Sequence, residues 1–313
     1  QFLYFPMLPG VETLRPLGTP VFPLQRHVDA EPVHLDLRLP PSRQAQRAQA
    51  AHEAELAKRR EWKQRARQST WDFMRLHGCA ERSGPVHDTV PGFVNSRRAI
   101  ASFCDCSIWR SAAVVFVSQE TPLRPLITQA LKENKTVVVG VKKPHSAFHG
   151  TWSAPSHMFV TMSDVPSRDL QLAGSDVGIA RFGQPLELDA SVAVDLVVVG
   201  SVAVSPKHGA RLGKGDGRED KLWGAMRWMG WVSAETPVVT VVHECQVDDS
   251  LSSSDMGPGD LAVDIVATPE RVLMVEEVPH KPNKVVWSDL HPDQLGQASI
   301  MAQQRGPVYR HAS

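Results

Sequence analysis

The chain has 313 residues, and its 34 Lys plus Arg are balanced by 34 Asp plus Glu. A formal charge of zero argues against a general nucleic-acid binder, which carries a basic excess, and against an acidic disordered solvating segment. A hydrophobic share of 42% is enough for a true core, and the length allows one large domain or two small ones. Four scattered cysteines (Cys79, Cys104, Cys106 and Cys245) are too few for a disulfide scaffold. They form no paired CxxC spacing, so a structural zinc is not expected; Cys104 and Cys106 read as packing residues in a reducing compartment. No apolar run is long enough to span a membrane. The first residue is Gln1 rather than Met, so the sequence reads as processed or as a fragment.

In chain order, residues 1–41 predict an irregular leader, because prolines at Pro6, Pro9, Pro16, Pro20, Pro23, Pro32, Pro40 and Pro41 remove backbone donors. From Ser42 to His77 there is neither Gly nor Pro, and good helix formers dominate, with Gly78 as the stop. Arg43 to Arg67 holds eight basic and three acidic residues, a net of +5 that reads most simply as a solvated helix face. Its second half carries an apolar stripe, Trp62, Ala66, Ser69, Phe73 and Leu76, expected to dock on the domain. Lys63 and Arg67 share a face beside that stripe, where two cations could meet an anionic ligand.

Strand and helix signals then alternate. Ala113–Val117, Thr136–Val139, His157–Thr161, Leu196–Val199, Val238–Val242, Val263–Ala267 and Arg271–Val275 predict strands; Leu123–Glu133 and Glu219–Met229 predict helices. Continuous β-branched runs indicate strands covered on both faces, so the expected fold is an α/β sheet domain over residues 62–275 with a tail from 276 to 313. Residues 250–259 read as a flexible surface loop.

The sharpest local feature is Arg211-Leu212-Gly213-Lys214-Gly215-Asp216-Gly217-Arg218-Glu219-Asp220, between a strand and a helix. Its glycines leave backbone N–H groups uncovered, and Arg211, Lys214 and Arg218 flank them. This suits a phosphate cradle, although it is neither GxxxxGK[ST] nor GxGxxG, and a plain Gly-rich turn remains the alternative. Two carboxylates could complete the site: Asp220 at the helix start, and Asp264 within an apolar strand, where a carboxylate must be paired, hydrogen-bonded or metal-bound unless it faces water from an edge. His243-Glu244-Cys245 lacks the second His of HExxH and reads as structural.

Arg211-Leu212-Gly213-Lys214-Gly215-Asp216-Gly217 followed by Asp220 resembles the nucleotide-binding signature of the 5-formyltetrahydrofolate cyclo-ligase family. The runs Val194–Ser205 and Glu235–Val247 resemble the same family. With Trp71-Asp72, Pro85-Val86-His87 and Pro91-Gly92-Phe93, they fit best its branch of methenyltetrahydrofolate synthetase domain-containing proteins and plant plastid cyclo-ligase-like relatives. A weaker likeness extends to Val286-Trp287-Ser288. The resemblance implies a three-layer α/β/α sandwich of the ribose-5-phosphate isomerase and CoA-transferase type. It implies a reaction in which ATP phosphorylates the formyl oxygen of 5-formyltetrahydrofolate, N10 attacks the activated carbon, and phosphate leaves to give 5,10-methenyltetrahydrofolate. By motif position it implies Arg211 and Lys214 as catalytic residues. Lys63, Arg67, Gly213, Gly215, Asp216 and Gly217 would contact ATP phosphates, Glu120 and Arg218 the substrate, and Asp220 and Asp264 a magnesium ion. A plastid is the expected compartment and the cytoplasm the alternative; a monomer is the expected state.

Three departures bear on activity. Two tyrosines usual before the loop's Asp are replaced by Arg218 and Glu219, which removes aromatic stacking area. Asp216 is acidic where phosphate should sit. A Glu-Pro typical of the folate side reads Gln184-Pro185. A catalytically reduced or repurposed nucleotide-binding member of the family is therefore the second expectation. An RNA-associated protein is the third, supported only by the basic stretch Arg43–Arg67, since the segment after Val275 lacks the aromatic-Gly signature of an RNA-recognition motif.

Overall fold

The computed structural model describes residues 43–141, 158–187, 189–277 and 279–284. The proline-rich leader and the Val286-Trp287-Ser288 stretch lie outside the described residues, as does His157 at the expected start of the third strand. The chain forms two compact units, residues 1–49 and 50–313. The described part of the first, residues 43–49, is helical, and the account below concerns the second.

A single uninterrupted helix, α1 (Arg43–Leu76), stops at Gly78, which takes a left-handed φ of 66°. Arg43, Arg47, Lys58, Arg60 and Arg65 are exposed, as the solvated-face reading expects. The apolar stripe is partly corrected. Trp62 and Ala66 do pack inward, but Ser69, Phe73 and Leu76 are exposed, Leu76 at 81%. The buried residues of the last turns are Trp71 and Met74, with Thr70 half-buried, one position round the helix from the expected line. Phe73 instead stacks on His77 one turn later, with ring centroids 3.9 Å apart.

Next come α2 (Ser96–Cys104), α3 (Ser107–Ser111), β1 (Val114–Val117), α4 (Arg124–Lys132), β2 (Thr136–Gly140), β3 (Phe159–Met162), α5 (Leu170–Ala173), α6 (Asp176–Phe182) and β4 (Gln184–Leu186). The second half holds β5 (Leu196–Val199), β6 (Ala203–Val204), β7 (Arg211–Leu212), α7 (Arg218–Trp228), β8 (Val238–Val241), β9 (Ile265–Ala267) and β10 (Val272–Met274). An eight-stranded sheet has the order β10-β9-β8-β5-β1-β2-β3-β4, and β6 and β7 form a separate antiparallel pair. The inner strands β9, β8, β5, β1 and β2 are parallel; β10 and β3 flank them antiparallel, and β4 pairs antiparallel with β3 and so runs in the direction of the inner strands. Pro185 sits in the edge strand β4, where a missing donor costs no ladder bond.

The β-branched runs are buried on both faces, and alternate residues serve opposite layers. Val115, Val137, Val139, Leu196, Val198, Val239 and Ile265 pack with Ile100, Phe103, Leu126 and Ile127 of α2 and α4. Phe116, Val138, Val197, Val199, Val238 and Val266 pack with Leu222, Trp223 and Met226 of α7 and with Trp231. Helices on both sides of one sheet make the fold a three-layer α/β/α sandwich. Residues 250–259, expected as a surface loop, instead contribute Leu251 (1% exposed) and Met256 to a small cluster with Ala203, Ala210 and Leu212, against Trp62 and Ala66 of α1. Beyond Val275, buried Lys281 donates to the carbonyls of Ala234 and Thr236, and Trp223 Nε1 donates to Pro282 O (2.7 Å).

Candidate functional site

Strand order reverses at β1. The chain moves from β1 to β2 on one side and from β5 to β8 and β9 on the other. The C-terminal ends of β1 and β5 therefore open a crevice, the usual ligand position in a doubly wound sheet. Ser118 N–H donates to Val198 O (2.9 Å), extending the β1–β5 pairing by one residue. The chain then leaves the sheet and delivers Glu120, 5% exposed, into this crevice. On the β5 side, Gly200 and Ser201 lead into the β6–β7 hairpin, which presents the loop 213–217.

The loop's backbone explains its glycines. Gly215 has φ 110° and Gly217 φ 59°, conformations that a side chain disfavours. A Cβ at Gly215 would come within 3.4 Å of the Arg67 guanidinium. Gly217 starts α7 in the left-handed conformation, and Asp216 Oδ1 accepts the Arg218 N–H at 3.2 Å. Glu219 and Asp220 lie in the first turn of α7, where the helix dipole favours negative charge.

Most of the expected residues converge here. Lys214 Nζ lies 3.0 Å from Glu120 Oε1 and 3.2 Å from Asp216 Oδ2, so it bridges the end of β1 and the loop. Burial alone would lower the Lys214 pKa, but Glu120 and Asp216 outweigh it and the net direction is upward. From α1, Arg67 Nε donates to Gly213 O (2.7 Å), and Lys63 pairs with Asp260. Burial is the main cause lowering the Arg67 pKa; Asp260 and Asp220 oppose it.

Arg211 stands behind the loop. Its guanidinium donates to Leu261 O (3.1 Å), Gly200 O (3.0 Å) and Asp220 Oδ1 (2.7 Å), and its side chain is 2% exposed. Each nitrogen of that guanidinium makes one of these bonds, so Arg211 braces the loop from behind. Asp220 Oδ1 also accepts the Leu261 N–H at 2.9 Å, which joins the helix start to the 251–263 segment.

Asp264 does not join Asp220. It precedes β9, at the N-terminal edge of the parallel strands, whereas the loop stands at their C-terminal ends. Its Oδ2 accepts the Val238 N–H (2.6 Å) and pairs with Lys281 Nζ (2.6 Å). Asp195 does the same for β1, accepting the Ala113 and Val114 N–H groups at 2.9 and 2.8 Å. Both aspartates satisfy backbone donors at strand starts. The shared magnesium site expected of Asp220 and Asp264 is therefore not formed.

The two residues standing in place of tyrosines are both buried. Arg218 Nη2 donates to Gly140 O at the end of β2 (2.6 Å), and its Nη1 is buried without a hydrogen-bond partner among the described residues. Glu219 is 3% exposed, and its Oε1 likewise has no hydrogen-bond partner among the described residues. Burial, then the charges of Glu120 and Asp216, push the Glu219 pKa up to about 7, against the pull of Arg211 and Arg218. The sequence marks Glu219 as a departure from a motif but not as a proton-holding group, because its burial depends on the layer packed around it. Asp260, the partner of Lys63, carries no spacing signal at all.

Known proteins resemble this chain in sequence. The model of the 5-formyltetrahydrofolate cyclo-ligase family matches residues 45–269. Methenyltetrahydrofolate synthase domain-containing proteins of Bos taurus and Homo sapiens are 34% and 33% identical over 239 residues, covering 76% of this chain. The chain spans about three fifths of the length of these relatives, 60% in both. The solution structure of Aquifex aeolicus 5,10-methenyltetrahydrofolate synthetase aligns at 21% identity and a TM-score of 0.37, over 58% of this chain and 82% of that one. With the family model spanning most of the α/β domain and the loop in the sheet's crevice, the chain belongs to the 5-formyltetrahydrofolate cyclo-ligase family, a family of ligase-type enzymes.

Proposed function

We propose that this chain converts 5-formyltetrahydrofolate to 5,10-methenyltetrahydrofolate with ATP and magnesium, using the crevice between β1 and β5. The observation that carries this reading is Lys214, held between Glu120 and Asp216 on a glycine loop that leaves its backbone open. The donor set suits a metal-bound polyphosphate. Lys63, Arg67 and Lys214 supply cations, and Glu120, Asp216 and Asp220 supply hard carboxylate oxygens. Buried Arg218 Nη1 and Glu219 Oε1 are polar atoms that a bound ligand could satisfy. ATP supplies the phosphoryl group that makes the formyl oxygen a leaving group, and magnesium offsets the charge on its phosphates.

The protein's part is positioning. Arg211 and Asp220 hold the loop against α7, and Arg67 ties it to α1, so the cations are in place before the ligand arrives. Lys214 can exchange its carboxylate partners for a phosphate oxygen. Glu219, with a pKa of about 7, can take or return a proton within the crevice near neutral pH.

The test is ATP-dependent formation of the methenyl product, followed by its absorbance. Wild-type protein should turn over, and Lys214→Ala should lose about 100-fold or more in kcat/KM while folding normally. Purified wild type with no ATP-dependent product, beside an active control enzyme, would sink the reading.

One observation favours a second reading, a nucleotide-binding member without turnover: Arg218 and Glu219, both buried, occupy the positions where the family resemblance expects tyrosines. Calorimetry separates the two: ATP affinity without turnover of any reduced folate supports the second. A plastid location rests on the branch resemblance, and a tagged full-length protein that failed to meet a plastid marker would refute it.

A further inference from the structure

The geometry points to a second site: we infer that Cys79, His243 and Cys245 bind a thiophilic divalent cation of the zinc class. No local spacing announces this site, because Cys79 and the His243–Cys245 pair lie far apart in the chain. The fold brings them together. Cys79 follows Gly78 at the end of α1 and is held there at both backbone groups. Its N–H donates to Met74 O (3.0 Å), and its carbonyl accepts from Val94 N (2.9 Å). His243 and Cys245 lie on the turn after β8. His243 Nδ1 caps that turn by accepting the Cys245 N–H (3.2 Å), a bond it would exchange for the ion if it ligates through Nδ1. Gln246, 1% exposed, locks the turn by donating to the carbonyls of Ser201 and Val202.

The candidate ligand atoms of the three side chains all lie within 4.8 Å of one another, and His243 Nδ1 is 3.1 Å from Cys245 Sγ. Ligand atoms around a tetrahedral zinc stand about 3.5–3.8 Å apart, as follows from bonds of about 2.3 Å to sulfur and 2.0–2.1 Å to nitrogen. The cluster therefore needs adjustments of about 1 Å or less, within side-chain freedom at the ends of rigid elements. Two thiolates and a neutral imidazole make a soft set that selects zinc over magnesium or calcium. Two thiolates also cancel the charge of a divalent ion, which suits a half-buried site. Three protein ligands leave the fourth position to water or a small thiol.

The ion would pin the end of α1 to the end of β8. α1 carries Lys63 and Arg67, and the His243 turn holds the Ser201–Val202 segment that leads into the glycine loop. The site is thus a clamp at the same C-terminal edge of the sheet as the crevice, and it stands whether or not the crevice turns over folate.

The test uses the full chain, reduced and stripped with a chelator, then titrated with cobalt(II) as a spectroscopic probe and with zinc in competition. The expected result is one equivalent bound, with thiolate-to-cobalt charge-transfer absorption and tetrahedral visible bands. Cys79→Ser and Cys245→Ser should each remove part of the charge-transfer intensity and, with His243→Ala, weaken binding at least about 100-fold. Cys104→Ser and Cys106→Ser should leave binding unchanged. Zinc should raise the Tm of wild type and not of the ligand variants. Binding undiminished in Cys245→Ser, or no stoichiometric uptake by reduced wild type, overturns the inference. A Cys79–Cys245 disulfide forming under mild oxidant in protein that takes up no metal also overturns it, in favour of a redox pair.

Discussion

Replacing Glu219 by Gln should make the protein more stable at alkaline pH and leave it nearly unchanged in mild acid. Glu219 is 3% exposed, beside Glu120 and Asp216, and its pKa rises from 4.5 to about 7. A raised acid pKa means that the folded state binds the proton more tightly than the unfolded state. The neutral carboxyl is fully compatible with the fold below about pH 4.5, and stability is lost as pH rises toward and through about 7. The rise corresponds to roughly 3 kcal/mol at the alkaline end. Gln has the shape of the protonated acid and does not titrate. Urea unfolding of ligand-free wild type and Glu219→Gln, from about pH 4 to about pH 9, should show a difference growing from near zero to roughly 3 kcal/mol in favour of Gln, most of it gained between about pH 4.5 and 7. A difference that stays flat across that window refutes the placement of a neutral, buried Glu219.

Two further outcomes follow from the same geometry. Gly215→Ala puts a side chain on a residue at φ 110°, a conformation L residues rarely adopt, so stability should fall by about 1–3 kcal/mol with weaker ATP binding. Gly84→Ala, whose Cβ meets nothing within 4 Å, is the control, and equal melting temperatures for the two variants would contradict the strain. Asp264→Asn leaves Lys281, 4% exposed at its side chain, without its carboxylate, at a cost of about 3 kcal/mol. Denaturant unfolding should register that loss while ATP and magnesium affinities hold; lost magnesium affinity with unchanged stability would restore Asp264 as a metal ligand.

The parts of the fold readable in advance were those with a strong local signal. Leu196–Val199 and Val238–Val241 are continuous β-branched runs, and they are buried central strands. β6 and β7 have only two residues each, and α5 only four, too short for any periodicity to register. In the last turns of α1 the buried line lies one position from the apolar stripe in the sequence, because Phe73 and Leu76 are as apolar as Trp71 and Met74. Only the surface beneath decides which pair turns inward.

The candidate site divides the same way. Glycines at 213, 215 and 217, with Lys214 between them, are a local pattern, because open backbone and positive φ are properties of a short segment. That Arg211 faces backward onto Gly200 and Leu261, and that Asp264 stands at the opposite edge of the sheet, are matters of strand direction, which residue types alone do not carry. Local residue patterns are enough for the layered α/β class, the glycine loop and the docking of the second half of the long helix. Strand order, the crevice that brings Glu120 to Lys214, the burial that shifts Glu219, and the meeting of Cys79 with His243 and Cys245 were decided only by the tertiary structure. Each depends on contacts between segments remote in the chain, whose energies exist only once the sheet has assembled.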